Sequence, residues 1–150
     1  MSTLLLKWAN LMEENKYDFT IDISKNVIIS FISTEQALLR CMFLIKEKEK
    51  QIILIICYQQ RCPKPYRKTM IEILDQINRT LSLGFFTMDM NDGELRFRHS
   101  VDIEGIEITS KFVYNFIHGA VAISDINYLA LNDGLHGKSV PKALSSIKYP

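Results

Sequence analysis

Six basic side chains stand where they could together bind an anion or an acidic partner. Four surround the start of a predicted helix and two share one face of a predicted strand: Arg61, Lys64, Arg67, Lys68, Arg96 and Arg98. Cations at a helix N-terminus oppose the helix dipole, and a bound anion would remove that conflict. The competing interpretation is a solvated basic edge, which the net charge of only +1 favours.

The spacing of the cysteines and histidines gives no support to a metal site or a nucleophile. Cys57 and Cys62 are five residues apart, and no Cys-x-x-Cys or His-x-x-x-His spacing occurs. Cys41 and Cys57 lie in apolar stretches, where a thiol is ordinarily an inert small hydrophobe. The nucleophile motif Gly-x-Ser-x-Gly and phosphate-binding loops are absent as well. We therefore predict no catalytic residue, metal or cofactor, and a protein that is not an enzyme.

Length and composition indicate a folded protein without a strong overall charge. The chain has 150 residues, 47% of them hydrophobic and 23% charged, so residues 1–150 are predicted to form a single domain. Three cysteines are an odd and sparse count, which indicates reduced thiols rather than a disulfide framework. The N-terminus lacks the features of a signal peptide, and no uncharged run approaches the ~20 residues that cross a bilayer. We expect a cytoplasmic protein with no membrane partner.

The periodicity of the apolar residues predicts which elements carry the six cations. Spacings of three and four residues predict helices over Leu4–Asn15, Tyr66–Leu81 and Ser110–Leu131, with a short helix in a C-terminal tail over residues 133–150. Apolar runs and alternations predict four strands before the second helix and two after it. Because short turns join the strands, the predicted fold class is α+β, an antiparallel sheet packed with helices in the order α-β-β-β-β-α-β-β-α.

Two of these predicted strand regions bear on a possible binding surface. The fourth strand, Ile52–Cys57, is apolar on both faces, so both should be covered, by the protein's own helices or by a second subunit. The Asp92-Gly93 pair predicts a tight turn between strands Phe85–Met90 and Glu94–Val101. The residues of this hairpin predicted to face the core are Phe86, Met88, Met90, Leu95, Phe97 and Val101.

Short motifs in the second half of the chain resemble a known family. The helix Ile71–Arg79, which ends in Asn-Arg, the strand Phe85–Asp89 and the Asp92-Gly93 turn resemble the YbjN family of bacterial proteins. The tail Gly137–Leu144 is similar to a Gly-x-x-x-Pro-x-x-Ala ending in cyanobacterial members. The resemblance implies a fold like that of type III secretion chaperones. It also implies non-enzymatic dimers linked to sensory or stress regulation or to chaperone-like binding, with no catalytic residues to carry over.

Two classes of function remain open at this point. The favoured one is a regulatory or chaperone-like protein that binds another polypeptide on a sheet face or in an apolar groove. It would act as a homodimer, with the middle helix and the following hairpin as the expected interface. The alternative is a module that binds a small anionic ligand or nucleic acid through the six cations. Nucleic acid is the less expected partner, because no helix-turn-helix or RNA-binding motif is present.

Overall fold

The computed structural model describes residues 2–147, which form five helices and six strands. The helices are α1 (Thr3–Glu14), α2 (Arg67–Asn78), α3 (Ser110–Ile126), α4 (Tyr128–Leu135) and α5 (Val140–Leu144), with a single 3₁₀ turn, Lys64–Tyr66, before α2. The strands are β1 (Thr20–Asp22), β2 (Val27–Ser33), β3 (Leu38–Lys46), β4 (Gln51–Cys57), β5 (Phe85–Met88) and β6 (Leu95–Asp102). None of these helices is long and apolar enough to cross a membrane.

All six strands pair antiparallel in one sheet, in the order β1-β2-β3-β4-β6-β5. The predicted α+β class is therefore confirmed, and so is the predicted order of elements as far as the start of the third helix. The long strand β4 lies near the middle, between β3 and β6. Sheet edges are formed by the two shortest strands, β1 and β5, which limits the unpaired backbone that the protein exposes.

The helices pack against one face of the sheet, and the main core lies between the two layers. Its centre is formed by inward side chains of β3, β4 and β6, namely Phe43, Leu54 and Phe97, which are completely buried. Trp8 of α1 joins the layers, with its ring centroid 6.3 Å from that of Phe43 and 5.6 Å from that of Phe116 on α3. The apolar stripes that predict α1 and α2 are thus the sides of these helices that are buried.

The third predicted helix, Ser110–Leu131, is interrupted in the structure at Asn127. The hydroxyl of Ser124 donates to the carbonyl of Ala120 at 3.0 Å, and the side-chain amide of Asn127 donates to the carbonyl of Ile123 at 2.9 Å. Side chains that bond to the carbonyl four residues earlier compete with the helical backbone and bend it. The helix therefore ends at Ile126, and α4 begins at Tyr128.

The C-terminal segment packs against α2 rather than extending away from the domain. Gly134 of α4 lies so close to α2 that a Cβ atom there would overlap the Met70 side chain. The Asp133 carboxylate accepts from the Lys138 ammonium at 3.0 Å and from the Ser146 hydroxyl. The short helix predicted in the tail lies at Val140–Leu144, and residues 148–150 of that tail lie outside the described residues.

The predicted hairpin is present, but its connection is longer than the sequence suggests. β5 ends at Met88, and the loop closes through bonds from the Asp89 amide to the Glu94 carbonyl at 3.0 Å and from the Gly93 amide to the Asp89 carbonyl at 2.7 Å. The prediction that Met90 faces the core is wrong, because Met90 belongs to this loop and is 48% exposed.

Candidate functional site

The sheet face opposite the helices is apolar at its centre, and no helix within residues 2–147 covers it. Ile53, Ile55 and Cys57 of β4 pack there with Met42 and Leu44 of β3, in a cluster separate from the main core. We call the central part of this surface the open face, and the same side of the sheet continues beyond it at Leu38, Lys46, Gln51, Ser100 and Asp102. The residues of the open face are Val27, Ile29, Phe31, Arg40, Met42, Leu44, Ile53, Ile55, Cys57, Phe85, Thr87, Arg96 and Arg98. The protein's own helices therefore cover only one of the two apolar faces of β4.

The strand register arranges the open face in rows that run across the sheet. One row from β2 to β5 consists of Ile29, Met42, Ile55, Arg98 and Phe85. The next consists of Phe31, Arg40, Cys57, Arg96 and Thr87. An exposed ring stands at each side of the face, since Phe31 on β2 is 56% exposed and Phe85 on β5 is 45% exposed. The open face thus has an aliphatic centre with an aromatic ring on either flank.

Two of the arginines on the open face have no carboxylate partner among residues 2–147. Arg96 is paired, because its guanidinium donates to Glu94 at 2.6 Å, and this hydrogen bond raises the Arg96 pKa. Arg40 on β3 and Arg98 on β6 are exposed and make no ion pair or side-chain hydrogen bond within the described part of the chain. They stand on the two strands that flank β4, one on each side of the apolar centre.

The helix-start cations that the sequence places together have diverging roles in the structure. Arg67, the first residue of α2, donates to the carbonyls of Cys62 at 2.9 Å, Met90 at 3.2 Å and Asn91 at 3.1 Å. Its charge is therefore directed at backbone oxygens, and it ties the start of α2 to the hairpin loop. These contacts give Arg67 a structural role at the helix start that needs no bound anion.

The remaining cations of the predicted basic edge do not converge on one point. Arg61 pairs with Asp92 at 2.6 Å and with Glu94 at 3.6 Å, which joins it to the hairpin loop. Lys64 and Lys68 are exposed on the 3₁₀ turn and on α2, whereas Arg96 and Arg98 belong to the open face. Of the six predicted binding residues, the structure therefore places these last two beside an apolar surface.

The three buried thiols and the His99 imidazole are held in their neutral forms. Desolvation raises the pKa of the Cys41 thiol to about 12, and burial also raises the pKa values of Cys57 and Cys62. The His99 ring stacks on Phe116 at 4.6 Å, and desolvation lowers its pKa. Within residues 2–147, no three His, Cys, Asp or Glu side chains come close enough together to hold a metal ion.

Arg40 is the open-face residue that sequence reasoning missed. It lies in β3, where the buried residues Leu39, Cys41 and Phe43 alternate with it. This alternation assigns Arg40 to the outer face of the sheet. Because its charge is isolated in the sequence, Arg40 is not recognised there as part of a basic cluster. Only strand pairing brings it near Arg96 and Arg98.

Within residues 2–147, a single sheet with its helices on one side and an uncovered, arginine-bearing surface on the other defines a two-layer α+β protein. Within that class, the chain belongs to the YbjN family. The model of this family, described as "Putative bacterial sensory transduction regulator", matches residues 9–125. The family that the sequence motifs suggested is thereby confirmed.

The fold is also similar to that of a solved structure described as "Crystal structure of YbjN, a putative transcription regulator from E. coli". The TM-score is 0.63 at 10% sequence identity, and the match covers 88% of this chain and 92% of that chain. At this identity the likeness concerns the fold alone. No curated protein matches the sequence.

Proposed function

We propose that this protein is a non-enzymatic regulatory or chaperone-like protein of the cytoplasm that binds another polypeptide on the open face. The observation that carries the proposal is the pair of exposed rings on the open face, Phe31 and Phe85, on either side of the buried apolar cluster around Ile55, with no helix of residues 2–147 over them. Exposed apolar surfaces of this kind are characteristic of interaction sites in folded domains. Membership in a family described as sensory transduction regulators supports a regulatory role.

Site-specific photo-crosslinking in the native host tests this proposal. A photoreactive phenylalanine analogue in place of Phe31 is expected to form adducts with another polypeptide, because Phe31 is exposed at one flank of the open face. The same analogue at Leu6 of α1, 48% exposed and outside the open face, is the control. The proposal fails if position 31 forms no more adducts than position 6, or if the adducts at position 31 join only two copies of this chain.

The homodimer expected from the sequence is the second part of the proposal, with an interface on the outer side of α2. Apolar side chains are exposed on α2 and beside β5, with exposures of 39% for Ile71, 49% for Leu83 and 48% for Met90. A durable interface would bury at least ~1,000 Å² in total around an apolar centre. Light scattering at micromolar concentration should give twice the chain mass, whereas a mass near 17.4 kDa would exclude the dimer. Ile71→Glu is expected to give folded monomers.

The alternative function, binding of a small anion or nucleic acid through the basic edge, has weaker support. Arg61 and Arg96 already face carboxylates, and Arg67 faces three carbonyls. An anion in this region would compete with those groups. The alternative stays a prediction, and it would gain support from phosphate-dependent stabilisation that is lost in Lys64→Ala/Lys68→Ala.

A further inference from the structure

We propose that the open face binds a short acidic amphipathic segment, in which apolar side chains pack on the exposed rings of Phe31 and Phe85 and carboxylates pair with Arg40 and Arg98. This inference rests on the proposed function, since it names the chemistry of the polypeptide that the open face would bind. It follows from three features of the surface: its size, its charge, and the way in which the neighbouring sheet edges are closed.

The open face is long enough to seat a short segment. Its outward residues span five strands, from β2 to β5. With strands ~4.8 Å apart, this gives about 19 Å across the sheet. A helix of about three to four turns has that length.

The charges of the open face select an acidic partner. Arg40 is the cross-strand neighbour of the exposed Phe31, and Arg98 is the cross-strand neighbour of the exposed Phe85. A segment packed on these rings would partly desolvate both guanidinium groups, which is costly unless each gains a carboxylate partner. Apolar residues flanked by Asp or Glu would satisfy both requirements at once.

The carboxylates that a second copy would bring to the open face already hold hydrogen bonds of their own. Glu94 accepts from Arg96 at 2.6 Å. Asp22 and Asp102 accept hydrogen bonds within their own turns, from Ser24 and from the Glu104 amide. A segment with unengaged carboxylates would pair with the two arginines without weakening these bonds.

The sheet edges favour binding on the face over addition of a strand at an edge. β1 has three residues and offers little backbone for pairing. On the other edge, the Asn78 side chain bonds to both the amide and the carbonyl of Phe86 in β5, at 2.8 and 3.0 Å. A segment seated across the face needs neither edge.

A displayed library of random 16-residue peptides, selected on the full-length protein, tests the inference. Enriched peptides are expected to combine apolar residues with at least two Asp or Glu. Their affinity, measured by fluorescence anisotropy, should fall at least tenfold in Arg40→Glu/Arg98→Glu. It should change less than twofold in Lys7→Glu/Lys111→Glu, which alters the net charge equally at exposed helix positions. Binding should also weaken as salt is raised.

A second pair of variants tests whether the open face binds peptides at all, independently of whether those peptides are acidic. Phe31→Ser/Phe85→Ser removes both exposed rings of the open face, and Leu6→Ser/Ile106→Ser removes two similarly exposed residues elsewhere. Peptides that lack acidic residues but lose affinity only in the first variant would overturn this inference and leave the proposed function standing. A selection that enriches no peptide sensitive to the first variant would overturn both.

Discussion

The side chain of Asn78, the last residue of α2, satisfies both backbone polar groups of Phe86 on the outer edge of β5. The Phe86 amide donates to Asn78 Oδ1 at 2.8 Å, and Asn78 Nδ2 donates to the Phe86 carbonyl at 3.0 Å. The asparagine therefore takes the place that a residue of a seventh strand would occupy. This contact gives a physical reason for an asparagine at the end of α2, and it protects an edge strand from pairing with other chains.

We predict that Asn78→Ala lowers the free energy of unfolding by about 1–3 kcal/mol, because two backbone groups of a buried strand residue lose their partners. Denaturant unfolding measures the change. Gln76→Ala, an exposed position on the same helix, is the control and should stay within about 0.5 kcal/mol of the parent protein. Equal effects at the two positions would show that the Phe86 contact contributes nothing. Asn78→Ala should also aggregate faster through the newly unpaired edge.

Arg67 is predicted to stabilise the fold rather than bind an anion. Arg67→Ala removes three bonds to carbonyls of the loops that meet at the start of α2, and should cost about 1.5–3 kcal/mol. Arg67→Lys should recover little of the loss, since one ammonium cannot reproduce the planar fork of the guanidinium. Lys68→Ala, on an exposed neighbour, is expected to be nearly neutral. Thermal unfolding of the three variants, with and without phosphate, distinguishes the two roles.

The pKa of His99 predicts a loss of stability in mild acid. Burial against Phe116 holds the imidazole neutral below its ordinary pKa of 6.5, so the unfolded chain binds a proton that the folded protein does not. The free energy of unfolding should therefore fall as the pH drops below about 6.5. His99→Gln should flatten this dependence, whereas His118→Gln, at an exposed position, should preserve it. Denaturant midpoints between pH 5 and 7.5 provide the measurement, and an unchanged slope in His99→Gln would contradict the assignment.

The three thiols are predicted to be unreactive in the folded protein. Cys41, Cys57 and Cys62 are buried, and burial raises the pKa of each, that of Cys41 to about 12. Because the thiolate is the reactive form, a disulfide reagent at pH 8 should modify them slowly, and all three should react at once in denaturant. Cys57 should react before Cys41 in the folded protein, since it lies on the open face. If Cys41 reacted before Cys57, the open face would have to be covered by another part of the protein or by a partner.

The local pattern of the sequence determined the elements of this fold. Spacings of three and four residues place Trp8 and Ile77 on buried helix sides, and alternation places Phe86 and Phe97 inward on neighbouring strands. These features follow from the sequence alone because helical and strand periodicities act over a few residues. The Asp92-Gly93 pair likewise marks a turn without reference to the rest of the chain.

Only the tertiary structure decided what the cations and the apolar strand do. Strand Ile52–Cys57 is equally apolar on both sides, and which side is left uncovered depends on where α1, α2 and α3 pack. Arg67 lies among basic neighbours in sequence, yet carbonyls more than twenty residues away engage it. Arg40 is isolated in sequence and becomes part of a charged apolar surface only through strand pairing. Such roles depend on contacts between distant parts of the chain, which local periodicity does not encode.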